Sequence, residues 1–185
     1  MKWTTIAMWL FFGLAFTAAP QADLDEAEAQ PFITRVQESF LAFNEHAELG
    51  LILRVYPWFE TKSWRAVVVE GRTRVVFEGR INDAKAVQDF NERNKYAWPE
   101  SFKAMQLKSY YHLEKDKQGL AFRLFFDFSD ARNYAPVGGA LGVQRASDDV
   151  WTYQPMSEKT FVAVLEGLYN RDDPYLILVH GLPYK

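Results

Sequence analysis

The chain has no cysteine. That excludes disulfide frameworks, zinc ribbons, iron–sulfur clusters, thiol nucleophiles and lipid anchors attached to cysteine. Charge of one sign is not in excess either. Lys and Arg number 21 against 24 Asp and Glu, a formal net charge of -3, so the chain is neither a disordered polyanion nor a nucleic-acid polycation. Histidine occurs only at His46, His112 and His180, far apart and without metal-ligand spacing; no metal site is expected. No Gly-x-Ser-x-Gly elbow is present, so a serine hydrolase is not expected, and His180 reads as a capping histidine rather than a base. Residues 138–142 are glycine-rich, but no Lys-Ser or Lys-Thr follows them, which removes phosphate-loop chemistry. The pairs Asp148-Asp149 and Asp172-Asp173 offer carboxylates of the kind that divide acid and base roles. Each pair stands before an aromatic segment or a proline, where acids cap turns. With no catalytic constellation and no cofactor motif, the chain reads as non-enzymatic.

What is present is apolar: 49% of the 185 residues are hydrophobic and 16% aromatic, enough for one domain with a full core. The start of the chain has the three-part layout of a secretory signal. Lys2 precedes the apolar run from Ile6 to Phe16, small residues follow, and Asp23 opens an acidic stretch. The run is about a dozen residues, short of the roughly 20 that span a bilayer. The expectation is a leader over residues 1–22, cleaved after Ala22, and a mature domain over 23–185. No later segment is apolar enough to span a membrane, and export without disulfides suits a periplasmic or secreted protein.

Periodicity gives the elements. Phe32, Ile33, Val36, Phe40, Leu41 and Phe43 recur at helical spacing over residues 31–47, with Pro31 near the first turn. Residues 51–56 read as a strand ended by Pro57. Valine-rich 64–69 and 73–81 flank Glu70-Gly71-Arg72 as a hairpin, Gly71 supplying positive φ. Asn82 or Asp83 caps a second helix that ends before Pro99. Strands follow over 103–114 and 120–128. In the latter, Leu120, Phe122, Leu124, Phe126 and Phe128 face the core, while Ala121, Arg123, Phe125 and Asp127 face away. Residues 129–156 carry Pro136, Gly138, Gly139, Gly142 and Pro155 without a sustained period and read as a long loop. Ser157 caps a third helix, stopped at Asp172-Asp173-Pro174, and 175–180 read as a last strand. The class is α+β: an antiparallel sheet of five to six strands with three helices, in the order αβββαββ-loop-αβ.

The element order and one local stretch resemble a known family. Phe90-Asn91-Glu92-Arg93-Asn94-Lys95-Tyr96, then a strand, the turn Asp116 to Gly119 and a strand ending Phe125-Phe126-Asp127-Phe128 resemble the YbjN family. Its fold is similar to that of type III secretion chaperones. The resemblance covers about residues 31–170, and its specific residues are Asn91 and Asn94. It implies a regulatory or chaperone-like role without enzymatic activity. Here the long loop and the last strand depart from the family pattern.

Two residue groups bear on partners. Arg65, Arg72, Arg74 and Arg80, with Lys103, Lys108, Lys115 and Lys117, are interleaved with Glu70, Glu78 and Glu114 and read as a solvated sheet edge. Aromatics cluster at Tyr56, Trp58, Phe59 and Trp64 and again at Tyr96, Trp98, Tyr110 and Tyr111; packing explains them, and a groove for peptide or sugar is the alternative. The partner-binding candidates are Trp58 in the aromatic turn and, in the long loop, Tyr134, Val137, Gly138, Gly139 and Leu141. The functional expectation is a protein-binding or chaperone-like accessory factor of the cell envelope. Its partner is another envelope protein or a peptide, a homodimer is allowed, and no nucleic acid is involved. A small-molecule or glycan binder with an aromatic groove is the alternative.

Overall fold

Glu70 and Gly71 make the tightest turn of the sheet. Both hold left-handed backbone, φ 52° and 76°, the positive φ that a two-residue type I′ hairpin needs at its central positions. The turn joins β2 (Phe59–Val69) to β3 (Arg72–Ile81), with Val69 opposite Arg72 and Trp64 opposite Phe77. The structure, a computed structural model, describes residues 22–41, 46–82, 85–86, 88–89, 92, 117–145, 150–174 and 177. Over these residues the sheet has six strands, completed by β1 (Ala22–Asp23), β4 (Lys117–Phe128), β5 (Tyr134–Arg145) and β6 (Trp151–Pro155). Strand order follows chain order, β1-β2-β3-β4-β5-β6, and every pairing is antiparallel. The β4–β5 connection is held by Asp130, whose carboxylate accepts from the amides of Arg132 and Asn133 and from the Asn133 side chain.

Helices cover one face. In α1 (Glu26–Gln37), Asp25 caps the start by accepting from the Glu28 amide at 2.8 Å, and Ala29, Ile33 and Val36 turn inward. A second helix, α2 (Leu49–Val55), buries Leu49, Ile52 and Leu53. The third, α3 (Glu158–Asn170), is capped by Ser157 and ends at Arg171 in left-handed backbone. Their apolar stripes meet Ala66, Val75, Phe77, Leu120, Phe122, Leu124, Phe126 and Phe128 in one core, the one-sided burial that an antiparallel sheet allows. Ser157 is a clean test of local capping. Its hydroxyl accepts from the Thr160 amide at 3.1 Å, and Ser157→Ala should lower stability by about 1 kcal/mol in a urea titration while leaving the cooperativity unchanged.

The α+β class and the antiparallel sheet are as expected, as are the 70–71 hairpin, the Asn82 cap and the Ser157 cap. Asn82 Oδ1 accepts from the Lys85 amide. Four local expectations are corrected. Residues 51–56 are not a strand, because the buried positions 49, 52, 53 and 56 follow helical spacing. Helix α1 starts at Glu26, so Pro31 lies inside it on an exposed surface rather than in its first turn. The expected loop over 129–156 contains β5 and β6. At the end of the chain, Pro174 and Ile177 are helical, with the Ile177 amide bonded to the Asp173 carbonyl at 3.0 Å, so 175–180 does not continue the sheet at Ile177. The expected leader (all but Ala22), the 103–114 strand, and Asn91 and Asn94 lie outside the described residues.

Candidate functional site

Strand alternation sends every second residue of β3 and β4 away from the helices. On β3 these are Arg72, Arg74, Val76, Glu78 and Arg80; on β4 they are Ala121, Arg123, Phe125 and Asp127. The register sets Arg74 opposite Asp127, Glu78 opposite Arg123 and Arg80 opposite Ala121. Arg65 on β2 shares this face, opposite Val76. The arginines expected at a sheet edge therefore stand on the outer face of interior strands.

Glu78 is the hub. Its carboxylate accepts from Arg123 Nε at 2.5 Å, from Arg80 Nε at 3.1 Å and from the Tyr153 hydroxyl at 3.0 Å. Burial would raise the Glu78 pKa, but the hydrogen bonds and charge of Arg123, with Tyr153 and Arg80, hold it below the usual carboxylate range. Burial, with the neighbouring Glu78 carboxylate, pushes the Tyr153 phenol up to about 12. Both arginines also stack on aromatic rings. The Arg123 guanidinium carbon lies 3.3 Å from the Tyr153 ring centre, and that of Arg80 lies 5.0 Å from the Trp151 ring centre. The two rings are themselves stacked, with centres 6.2 Å apart. Further along, Arg74 binds Asp127 through two nitrogens and lies over Phe125.

Two glycines make room for those rings. A Cβ on Gly142 would lie 2.5 Å from the Tyr153 ring, and one on Gly119 would lie 2.9 Å from the Trp151 ring. The rings from β6, the last strand of the sheet among the described residues, therefore rest on bare backbone of β5 and β4. Arg80 and Arg123 use Nε for Glu78, and among the described residues their Nη groups make no other hydrogen bond. The result is two guanidinium forks, pre-oriented by stacking and by a shared carboxylate, of the geometry that grips carboxylates in pairs.

The candidates read from the sequence fall elsewhere. Trp58 is 2% exposed in the core and its indole nitrogen donates to Asp89 at 2.8 Å. Tyr134, Val137, Gly138, Gly139 and Leu141 are strand residues of β5. Leu141 packs against the core and Val137 is half exposed. Tyr134 lines an open cleft with Arg35 and Arg132, where Arg35 Nε donates to the Arg132 carbonyl at 2.8 Å. Gly139 serves packing: a Cβ there would lie 2.5 Å from the Arg123 carbonyl oxygen. Gly139→Ala should therefore lower the melting temperature by several degrees, as a clash with backbone cannot be relieved by a rotamer change. Thermal unfolding followed by circular dichroism checks this.

Trp151 and Tyr153 were missed because 129–156 read as a loop. Their alternation, Trp151-Thr152-Tyr153, is the signal that could have shown them. Among the described residues no group of His, Asp and Glu has metal-binding geometry, and no helix is long and apolar enough to cross a membrane. No family model, no curated protein and no solved structure matches the chain.

Proposed function

We propose that this chain is a non-enzymatic, chaperone-like binding factor, exported to the cell envelope, that holds an acidic segment of a partner protein on the outer face of β3 to β6. The arginine pair around Glu78 carries the reading. Arg80 and Arg123 are fixed by ring stacking and a common carboxylate, so little side-chain entropy is lost when a ligand carboxylate meets their Nη groups. One glutamate serves two arginines, which leaves this part of the face cationic in a protein whose overall balance is weakly acidic. A sugar would need a bare aromatic face, whereas the Trp151 and Tyr153 rings are covered by guanidinium on one side and backbone on the other. An acidic peptide is therefore preferred to a glycan.

Fluorescence anisotropy with a labelled oligoglutamate peptide tests the proposal. Binding should saturate at low ionic strength, weaken as salt rises, and fall about tenfold or more in the Arg80→Gln, Arg123→Gln double variant. Equal affinity in the double variant, with an unchanged melting temperature, would overturn it.

A further inference from the structure

On the helix side of the sheet, apart from the arginine face, a cleft of about 270 Å³ opens between α1, α2 and β2. Its lining includes Trp64 and Leu51. The rim is charged at both ends, and the signs are separated. At one end stand Glu38, just after α1, and Glu48, just before α2; the Leu49 amide donates to the Ser39 carbonyl at 2.8 Å, which draws these two positions together. At the other end stand Arg54, in the last turn of α2, and Lys62 on β2; Lys62 Nζ donates to the Arg54 carbonyl at 2.7 Å.

The length of α2 sets the distance between the two ends. Glu48 and Arg54 are six residues apart, about 9 Å along a helix. A free amino acid is too short to reach both ends. An extended chain advances about 3.3–3.6 Å per residue, so about three residues set an ammonium at the acidic end and a carboxylate at the basic end. The aromatic and aliphatic floor would meet the side chain between them. We infer that this cleft binds a tripeptide-sized zwitterion, its free N-terminus held by Glu38 and Glu48 and its free C-terminus by Arg54 and Lys62.

Isothermal titration of the full chain with trialanine at low ionic strength tests the assignment, alongside N-acetyl-trialanine, trialanine amide and alanine. Trialanine should bind saturably, and blocking either terminus should weaken binding about tenfold or more, as a charge-assisted hydrogen bond is lost. Free alanine should bind at least as weakly as the blocked peptides. Glu48 and Lys62 are exposed, so Glu48→Gln and Lys62→Gln should keep the melting temperature. Each should reduce discrimination at its own end alone: Glu48→Gln between free and acetylated N-termini, Lys62→Gln between free and amidated C-termini. Absence of saturable trialanine binding at millimolar concentration, or blocked peptides binding as well as free ones, would overturn the inference. The oligoglutamate assay, which reads the opposite face of the sheet, is unaffected by either result.

Discussion

Phe77→Ala is expected to lower the unfolding free energy by about 3–5 kcal/mol, a large share of the roughly 5–15 kcal/mol that holds a domain together. Phe77 is fully buried at the middle of β3, opposite Trp64 on one side and Leu124 on the other. Its ring centre lies 4.8 Å from that of Trp64 and 5.4 Å from that of Phe59. Removing it takes away the contact surface of two other aromatics and leaves a cavity between strands whose backbones are pinned by the ladder, so collapse is limited. The urea midpoint should fall without a change in slope. A loss below about 1 kcal/mol would mean that the β2–β3 aromatic layer is not packed as the structure shows.

The second large effect is on pH. The bond from Tyr153 to Glu78 needs an ionised carboxylate and a protonated phenol, so the network around Glu78 is bounded on both sides. Glu78 has a lowered pKa in the folded chain. Its stabilisation is complete above the ordinary glutamate value of about 4.3 and is lost as pH falls through its folded value. Tyr153 is raised to about 12, and Tyr169 likewise by burial. For these the stabilisation is complete below the ordinary tyrosine value of about 10 and is lost as pH rises toward 12. Absorbance at 295 nm should show Tyr153 and Tyr169 among the tyrosines that ionise late, with one fewer late-ionising group in Tyr153→Phe. Glu78→Gln should flatten the acid limb of the melting-temperature profile. If that limb were unchanged, Glu78 would not be the charge that the arginines hold.

Much of the fold was legible in the sequence because its signals are local. Glu70-Gly71, Asn82 and Ser157 each act on backbone within three residues, and the alternation in Leu120 to Phe128 is unbroken. The errors come from signals with two meanings. Leu51 to Val55 is apolar enough for either a strand or a buried helix, and only the spacing of Leu49, Ile52, Leu53 and Tyr56 separates them. Gly138, Gly139 and Gly142 look like loop residues, yet Gly139 and Gly142 admit close approach inside a strand: Arg123 backbone at one, the Tyr153 ring at the other. The binding face was legible only in halves. That Arg123 faces away from the core follows from its strand, but its partners Glu78 and Tyr153 lie 45 and 30 residues distant. Only the register brings them together.

Chain-order pairing also bears on how the sheet assembles. In a meander each strand finds its partner next in sequence, which favours fast, zipper-like folding from local hairpins. The β2–β3 pair closes over two residues, while β3 and β4 are joined only across the span from Ile81 to Lys117. Closing that longer loop costs more chain entropy. The hairpins on either side should therefore form first, with the docking of β4 onto β3 as the slow step. Joining those halves also creates the Glu78–Arg123 pair, so the binding face is among the last parts of the molecule to mature.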